Sequence, residues 1–387
     1  MTVENPASAL EVSQALIRCP SVTPTEGGAL DLMESLLKPL GFECQRLPFS
    51  CAETYDVDNL YARLGKNGPV FGYGGHTDVV PVGDANAWSV DPFGGTVVDD
   101  KLIGRGTVDM KGSIGAYVAA LTRFLKSPQG QNLNGSLNLI ITGDEEGVGL
   151  NGTRKVLDWM TDKGEKMDVC LVGEPTSNTV LGDMVKIGRR GSMNFALTVR
   201  GVQGHTAYPQ LASNPLHPAI NMLHNLLQEP LDSGTEHFPP SSLQLTTVDV
   251  GNPATNVIPA DITANFNVRF NDLYTSDHIE AWVRERLHRA DFDYDLKIRV
   301  SGESFLCPPG PFSDLIGTSI QDITGVKTEL GTSGGTSDAR FIKDYATVAE
   351  FGLLNDTAHK VDEHCTVQEL ESLSKIYETM LRGYFKA

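Results

Sequence analysis

Long apolar runs are missing from this chain of 387 residues. No stretch approaches the ~20 residues that a bilayer-spanning helix requires, which excludes a membrane protein of that kind. Positive charge is also scarce. Lys and Arg number 31 against 49 Asp and Glu, for a formal net charge of −18. Nucleic acid and anionic membrane both need a positive footprint, so neither is expected as a partner. The opening Met1-Thr2-Val3-Glu4-Asn5-Pro6 has neither the basic start nor the apolar core of a signal peptide. A cytoplasmic location is the expectation. The cysteines Cys19, Cys44, Cys51, Cys170, Cys307 and Cys365 contain no C-x-x-C pair. Scattered free thiols are expected rather than a disulfide framework or a zinc knuckle.

What is present is a composition of 40% hydrophobic and 21% charged residues, the balance of a soluble globular protein. The length exceeds one ordinary core, so two domains are expected. The first part alternates helix and strand. Ala9 to Ile17, capped by Ser8, and Ala29 to Leu40, ended by Gly41, read as amphipathic helices. Strands are expected at Val70–Tyr73, Ser136–Thr142 and Val169–Val172, with a hairpin turning at Asp99-Asp100-Lys101. A helix is expected over Ser113–Leu125, and such alternation indicates α/β architecture. After Gly191 the pattern becomes strand, helix, strand, strand, helix, strand, the ferredoxin-like βαββαβ order. From Cys307-Pro308-Pro309-Gly310-Pro311 the α/β alternation resumes, with a buried strand at Ala346–Phe351. The expected organisation is therefore a discontinuous catalytic α/β domain with a mixed central sheet (1–190 and 304–387), interrupted by an inserted domain (191–303).

Chemistry concentrates where strands end. His76 follows Val70–Tyr73, Glu145 and Glu146 follow Ser136–Thr142, and Glu174 follows Val169–Val172. His359 comes after Ala346–Phe351, and Asp109 lies in the Gly-rich loop before a helix. Ligand sites in open α/β sheets form at the carboxyl ends of the strands. Two His and several carboxylates suit zinc, cobalt or manganese and disfavour a thiolate site. Six such side chains exceed what one tetrahedral ion needs and divide between two ions about 3.5–4 Å apart. Taken singly, each has a plainer reading. Asp144-Glu145-Glu146 fits a solvated acidic turn, and Asp109 fits a helix cap. Glu174 fits an exposed loop residue, and His359 a surface His.

The motifs GGHTDVVP (74–81), GRGTVDMKG (104–112), GDEEG (143–147), GEPT (173–176) and AHKVDE (358–363) resemble the co-catalytic metallohydrolases. That family includes aminoacylases, acetylornithine deacetylases and carboxypeptidase G2. GRRGS (188–192), GHTAYP (204–209), NVIPA (256–260), GGTSDARF (334–341) and FGLLNDTAHK (351–360) narrow the resemblance to its desuccinylase branch. The resemblance runs from about residue 8 to the C-terminus. It implies that His76 and Glu174 hold one ion, Glu146 and His359 the other, and that Asp109 bridges them. It further implies that Asp78 orients His76 and that Glu145 is the general base. Adjacent Glu side chains at a strand end are expected to point apart, which would separate ligand from base. The inserted domain would form a homodimer interface, and His205 would reach the partner's active site.

The reaction implied is hydrolysis of the amide of a small N-succinylated amino-acid substrate rich in carboxylates. A −18 protein must meet those carboxylates with local positive charge. Arg189, Arg190, Arg269 and Lys186 are the candidates, Arg being suited to bidentate carboxylate capture. The resemblance assigns substrate contacts to Arg189, Arg269, Asn256, Thr336 and Asn355. Two rivals stand beside it: an acetylornithine-deacetylase type of amidohydrolase, and a serine hydrolase. For the latter, Gly331-Thr332-Ser333-Gly334-Gly335 matches G-x-S-x-G, with Ser333 as nucleophile. Its preceding segment Val326–Leu330 is a poor strand, and it leaves His76, Asp109, Glu146 and Glu174 without a role.

Overall fold

A computed structural model describes residues 3–386. The chain divides into two compact units. One comprises residues up to Ile187 with Cys307–Gly331 and those from Ser337 onward; the other is Gly188–Leu306 with Thr332–Thr336.

The first unit is built on a mixed sheet of eight strands among the described residues. Its order is Glu43–Cys51, Thr54–Leu64, Ser136–Thr142, Val70–His76, Val169–Val172, Thr347–Glu350, Met184–Lys186 and Glu329–Gly331. The four central neighbours, from Ser136–Thr142 to Thr347–Glu350, are mutually parallel. Parallel strands covered on both faces read as unbroken apolar runs, and Ser136–Thr142 is buried at every position. Register aligns the ends of these strands. His76 pairs with Thr142, Gly74 with Val172 and Val172 with Glu350, so four carboxyl ends finish at one edge.

Helix Gly112–Lys126 packs against Ala9–Ile17 and Val367–Tyr384. Ser8 caps the first helix by accepting from the Glu11 N–H, as expected from the sequence. Thr366 and Glu369 form a capping box on the last one. Beneath His76, Tyr73 stacks on Tyr117 with ring centroids 4.0 Å apart, and Tyr377 meets both edge-on. The hairpin Thr96–Val98/Lys101–Ile103 turns at Asp99 and Asp100, both with positive φ, and pairs with His364–Thr366. No helix among the described residues is long and apolar enough to cross a membrane.

The second unit has the antiparallel sheet order Ser242–Asp249, Asp261–Phe270, Gly191–Arg200, Tyr294–Gly302, with helices Leu216–Leu227 and Ser276–His288. Met193, Phe195, Leu197 and Val199 alternate onto the same core as Ile262, Ala264, Phe266 and Val268. The period-2 pattern in the sequence is this half-buried sheet. The α/β class and the βαββαβ order are therefore as the sequence indicates.

Candidate metal centre and substrate-contact residues

Four parallel strand ends and one loop bring the acids and imidazoles together. Gly74 lies opposite Val172, so residues two further along each strand direction, His76 and Glu174, become neighbours. The His76 Nε2 is 3.6 Å from Glu174 Oε1 and 3.2 Å from Asp109 Oδ1. The other Asp109 oxygen, Oδ2, is 3.2 Å from His359 Nε2, which is 2.8 Å from Glu146 Oε1. One carboxylate thus faces two imidazoles, one with each oxygen. Two triplets share it: His76–Asp109–Glu174 and Asp109–Glu146–His359, each with donor atoms within 4.8 Å of one another.

The donor set fits a pair of cations. Ligand atoms about 2.0–2.2 Å from a tetrahedral ion stand roughly 3.3–3.6 Å apart, close to the separations around His76. Electrostatics agree. His76 is buried, which disfavours its charged form, yet its hydrogen bond to Asp109 and the charge of Glu145 raise its pKa well above the ordinary value. Hydrogen bonds to Asp109 and Glu146 raise His359 to about 10. Carboxylates crowded enough to hold protons on two imidazoles hold a field that suits divalent ions. For Asp109, burial opposes ionisation, but hydrogen bonds from His359 and His76 win and keep it ionised.

The plainer readings of these residues do not match their surroundings. Asp144 is fully buried and its carboxylate accepts from the Tyr55 hydroxyl at 2.7 Å and the Asn151 N–H at 3.1 Å. The turn it anchors is no solvated one. Glu174 is buried. Helix Gly112–Lys126 has no side-chain cap, so Asp109 does not serve as one. His359 alone remains substantially exposed, at 49% of its side chain, and adopts positive φ.

Two expectations change in detail. Glu145 and Glu146 do not point apart: one oxygen of each lies within 4.8 Å of the other and of a His76 nitrogen. The reason is Asp78, whose carboxylate accepts the N–H of Glu145 at 3.3 Å and of Glu146 at 3.1 Å, turning both residues inward. Asp78 does contact His76, but through its main-chain oxygen, 2.9 Å from Nδ1; its nearest carboxylate oxygen is 3.7 Å away. Burial pushes the Asp78 carboxyl up to about 6, and Thr23 donates to it at 2.8 Å. Burial first, and the Glu174 charge second, push Glu145 well above the carboxylate range.

In the second unit, Arg189 donates to the Gly335 carbonyl at 3.0 Å, which ties it to the loop bearing half-buried Thr336. Arg269 donates to Asn267 Oδ1 at 3.0 Å, while its buried Nη1 and the Nε of Arg190 have no hydrogen-bond partner. Burial and, for Arg269, the adjacent Arg190 charge lower the pKa of both guanidinium groups. His205 and Asn256 are exposed neighbours: His205 pairs with Val257, and the Thr206 N–H reaches the Asn256 carbonyl at 3.1 Å. In the first unit, Asn355 is exposed and its N–H donates to Ser177, while Lys186 is buried. Ser333 follows only the short edge strand Glu329–Gly331 and is not at positive φ, so the strained elbow of an α/β-hydrolase is not formed there. Thr23 and Tyr55 lie in none of the motifs, while Arg105 and Glu363 lie within GRGTVDMKG and AHKVDE without ligand spacing to mark them.

A model of peptidase family M20/M25/M40 matches residues 72–383. A Rhodospirillum centenum protein named succinyl-diaminopimelate desuccinylase is 55% identical over 376 residues, 97% of each chain. The M20 family metallo-carboxypeptidase Sso-CP2 of Sulfolobus solfataricus superposes with a TM-score of 0.77 at 16% identity, over 97% of this chain and 99% of that one. The Bacillus subtilis YXEP protein, described as a dinuclear metal binding peptidase from the M20 family, gives a TM-score of 0.70 at 14% identity over 97% of each chain. The solved structures establish a common fold, and the family model with the close relative establishes descent. The chain belongs to peptidase family M20/M25/M40.

Proposed function

We propose that this chain hydrolyses N-succinyl-LL-2,6-diaminopimelate to succinate and LL-2,6-diaminopimelate, a step toward lysine and cell-wall precursors. The name of the 55% identical relative supports the substrate. The observation that carries the chemistry is Asp109, whose two oxygens each face a different imidazole at 3.2 Å. His76 and Glu174 would hold one ion, Glu146 and His359 the other, with Asp109 shared. When bound, two divalent ions, zinc first among those suiting these donors, would supply Lewis acidity toward the acyl carbonyl and would lower the pKa of water to ~7.

Glu145 is the general base in this reading. Its elevated affinity for a proton suits a group that takes one from water and returns it to the departing amine. Asp78 keeps Glu145 and Glu146 in place through their N–H groups. Arg189 and Arg269 bind substrate carboxylates, the unsatisfied Arg269 Nη1 offering a donor, with Asn256, Thr336 and Asn355 adding polar contacts. Residues 191–303 act as an inserted dimerisation domain, and His205 donates to the oxyanion in the partner subunit's centre.

Turnover of succinyl- and acetyl-amino-acid substrates by metal-loaded protein tests the reading. Preference for the succinylated diamino diacid is expected. Preference for N-acetylornithine would reassign the chain to the deacetylase type. Activity that survives chelation but not a serine-directed phosphonate would replace metal chemistry with Ser333.

A further inference from the structure

Arg105 and Glu363 form a buried ion pair 2.7 Å apart, Arg105 being 2% exposed and Glu363 0%. Neither belongs to the ligand set. A buried pair is weak evidence for stability, because desolvation of both charges offsets their attraction. Its hydrogen bonds show another use. Glu363 Oε1 accepts the main-chain N–H of Val108 at 2.8 Å and of Asp109 at 3.0 Å, and Oε2 accepts that of Gly106 at 3.0 Å. Gly106 has φ of 86°, a left-handed conformation that lets successive N–H groups converge on one carboxylate.

Arg105 works on the opposite loop. Its Nη1 donates to the carbonyl of Lys360 at 3.2 Å, and its Nη2 to those of Pro81 at 3.3 Å and His359 at 3.4 Å. The guanidinium lies over the Trp88 ring, 5.2 Å from its centroid, which screens it from water. His359 sits at φ of 63°, a left-handed conformation uncommon for a non-glycine residue. The main chains of Asp109 and His359 are thus gripped by the two halves of one ion pair.

We propose that Arg105 and Glu363 are positioning residues that set the cation affinity of the Asp109–Glu146–His359 triplet. Glu363 fixes the main chain of Asp109, and Arg105 fixes the loop of His359. Outer-shell partners of this kind typically change metal affinity 10–100-fold when removed. The inference rests on the two-ion reading above.

Chelator-treated full-length protein is titrated with Co²⁺ by calorimetry, with the visible absorption of bound Co²⁺ recorded in parallel. Wild type, Arg105→Lys, Glu363→Gln and His359→Ala are compared, and urea midpoints of the metal-free forms report folding. Arg105→Lys keeps the charge but loses the planar fork that reaches three carbonyls. It is expected to weaken one equivalent at least 10-fold, the equivalent that His359→Ala also removes, and to change the other less than 3-fold. Glu363→Gln, acting through the shared Asp109, is expected to weaken both. Folded variants that bind two equivalents as tightly as wild type would make the pair structural only and overturn the proposal. So would an Arg105→Lys protein whose two equivalents weaken together. If Arg105→Lys does not fold, Glu363→Gln decides alone: tight binding of both equivalents overturns the proposal. Failure of wild type to bind Co²⁺ would instead overturn the two-ion reading itself.

Discussion

Glu145 and Glu146 are adjacent acids with separate assignments, and the assignments separate in experiment. Glu145→Gln keeps the size and removes the base. It is expected to retain two ions per chain by metal analysis while turnover falls about 10²–10⁴-fold, the usual contribution of a positioned base. Glu146→Gln is expected to lose one ion. Proton competition gives a second prediction. In the metal-free chain His359 is raised to about 10 by Asp109 and Glu146, so its proton is present at neutral pH and must leave when a cation binds. Affinity should therefore rise with pH and level off only once His359 and His76, both raised, have lost their protons. Calorimetric titration in buffers of different ionisation enthalpy should show proton release near pH 7.5. Uptake of protons would contradict the assignment.

Strands and turns explain how these residues came within reach, and how much of that the sequence discloses. Apolar runs ending in His76, Glu145, Glu174 and near His359 are readable because fully buried parallel strands leave long apolar signatures. The convergence of Glu145 with Glu146 is not readable, because it depends on the Asp78 carboxylate capturing two main-chain N–H groups. Close approach between strand ends is equally silent in sequence. A Cβ on Gly352 would lie 2.5 Å from the main-chain oxygens of both Gly173 and Glu174. Gly352→Ala should therefore displace the Glu174 segment and destabilise the protein by about 1–3 kcal/mol, as overpacking does. The urea midpoint measures this. By contrast, the buried Tyr117 hydroxyl lacks a partner, so Tyr117→Phe should be neutral or stabilising.

At the scale of the molecule, charge and assembly matter most. A net charge of −18 disfavours a tricarboxylate unless cations gather locally, and Arg189, Arg190 and Arg269 do gather in the second unit. The proposed homodimer has a specific surface to test. On helix Leu216–Leu227, Ile220 and Leu227 are 61% and 55% exposed and seven residues apart, on one face. Ile220→Glu with Leu227→Glu should yield a folded monomer by sedimentation equilibrium, with activity reduced if His205 serves the partner subunit. Metal content against turnover tests the central claim most directly. The chelated protein is reloaded stepwise with zinc, and bound metal is counted alongside hydrolysis of N-succinyl-LL-2,6-diaminopimelate. Two ions per chain, with activity absent before loading and restored by it, is the predicted result. Full activity in the metal-free protein, or no ion retained in wild type, would contradict the account.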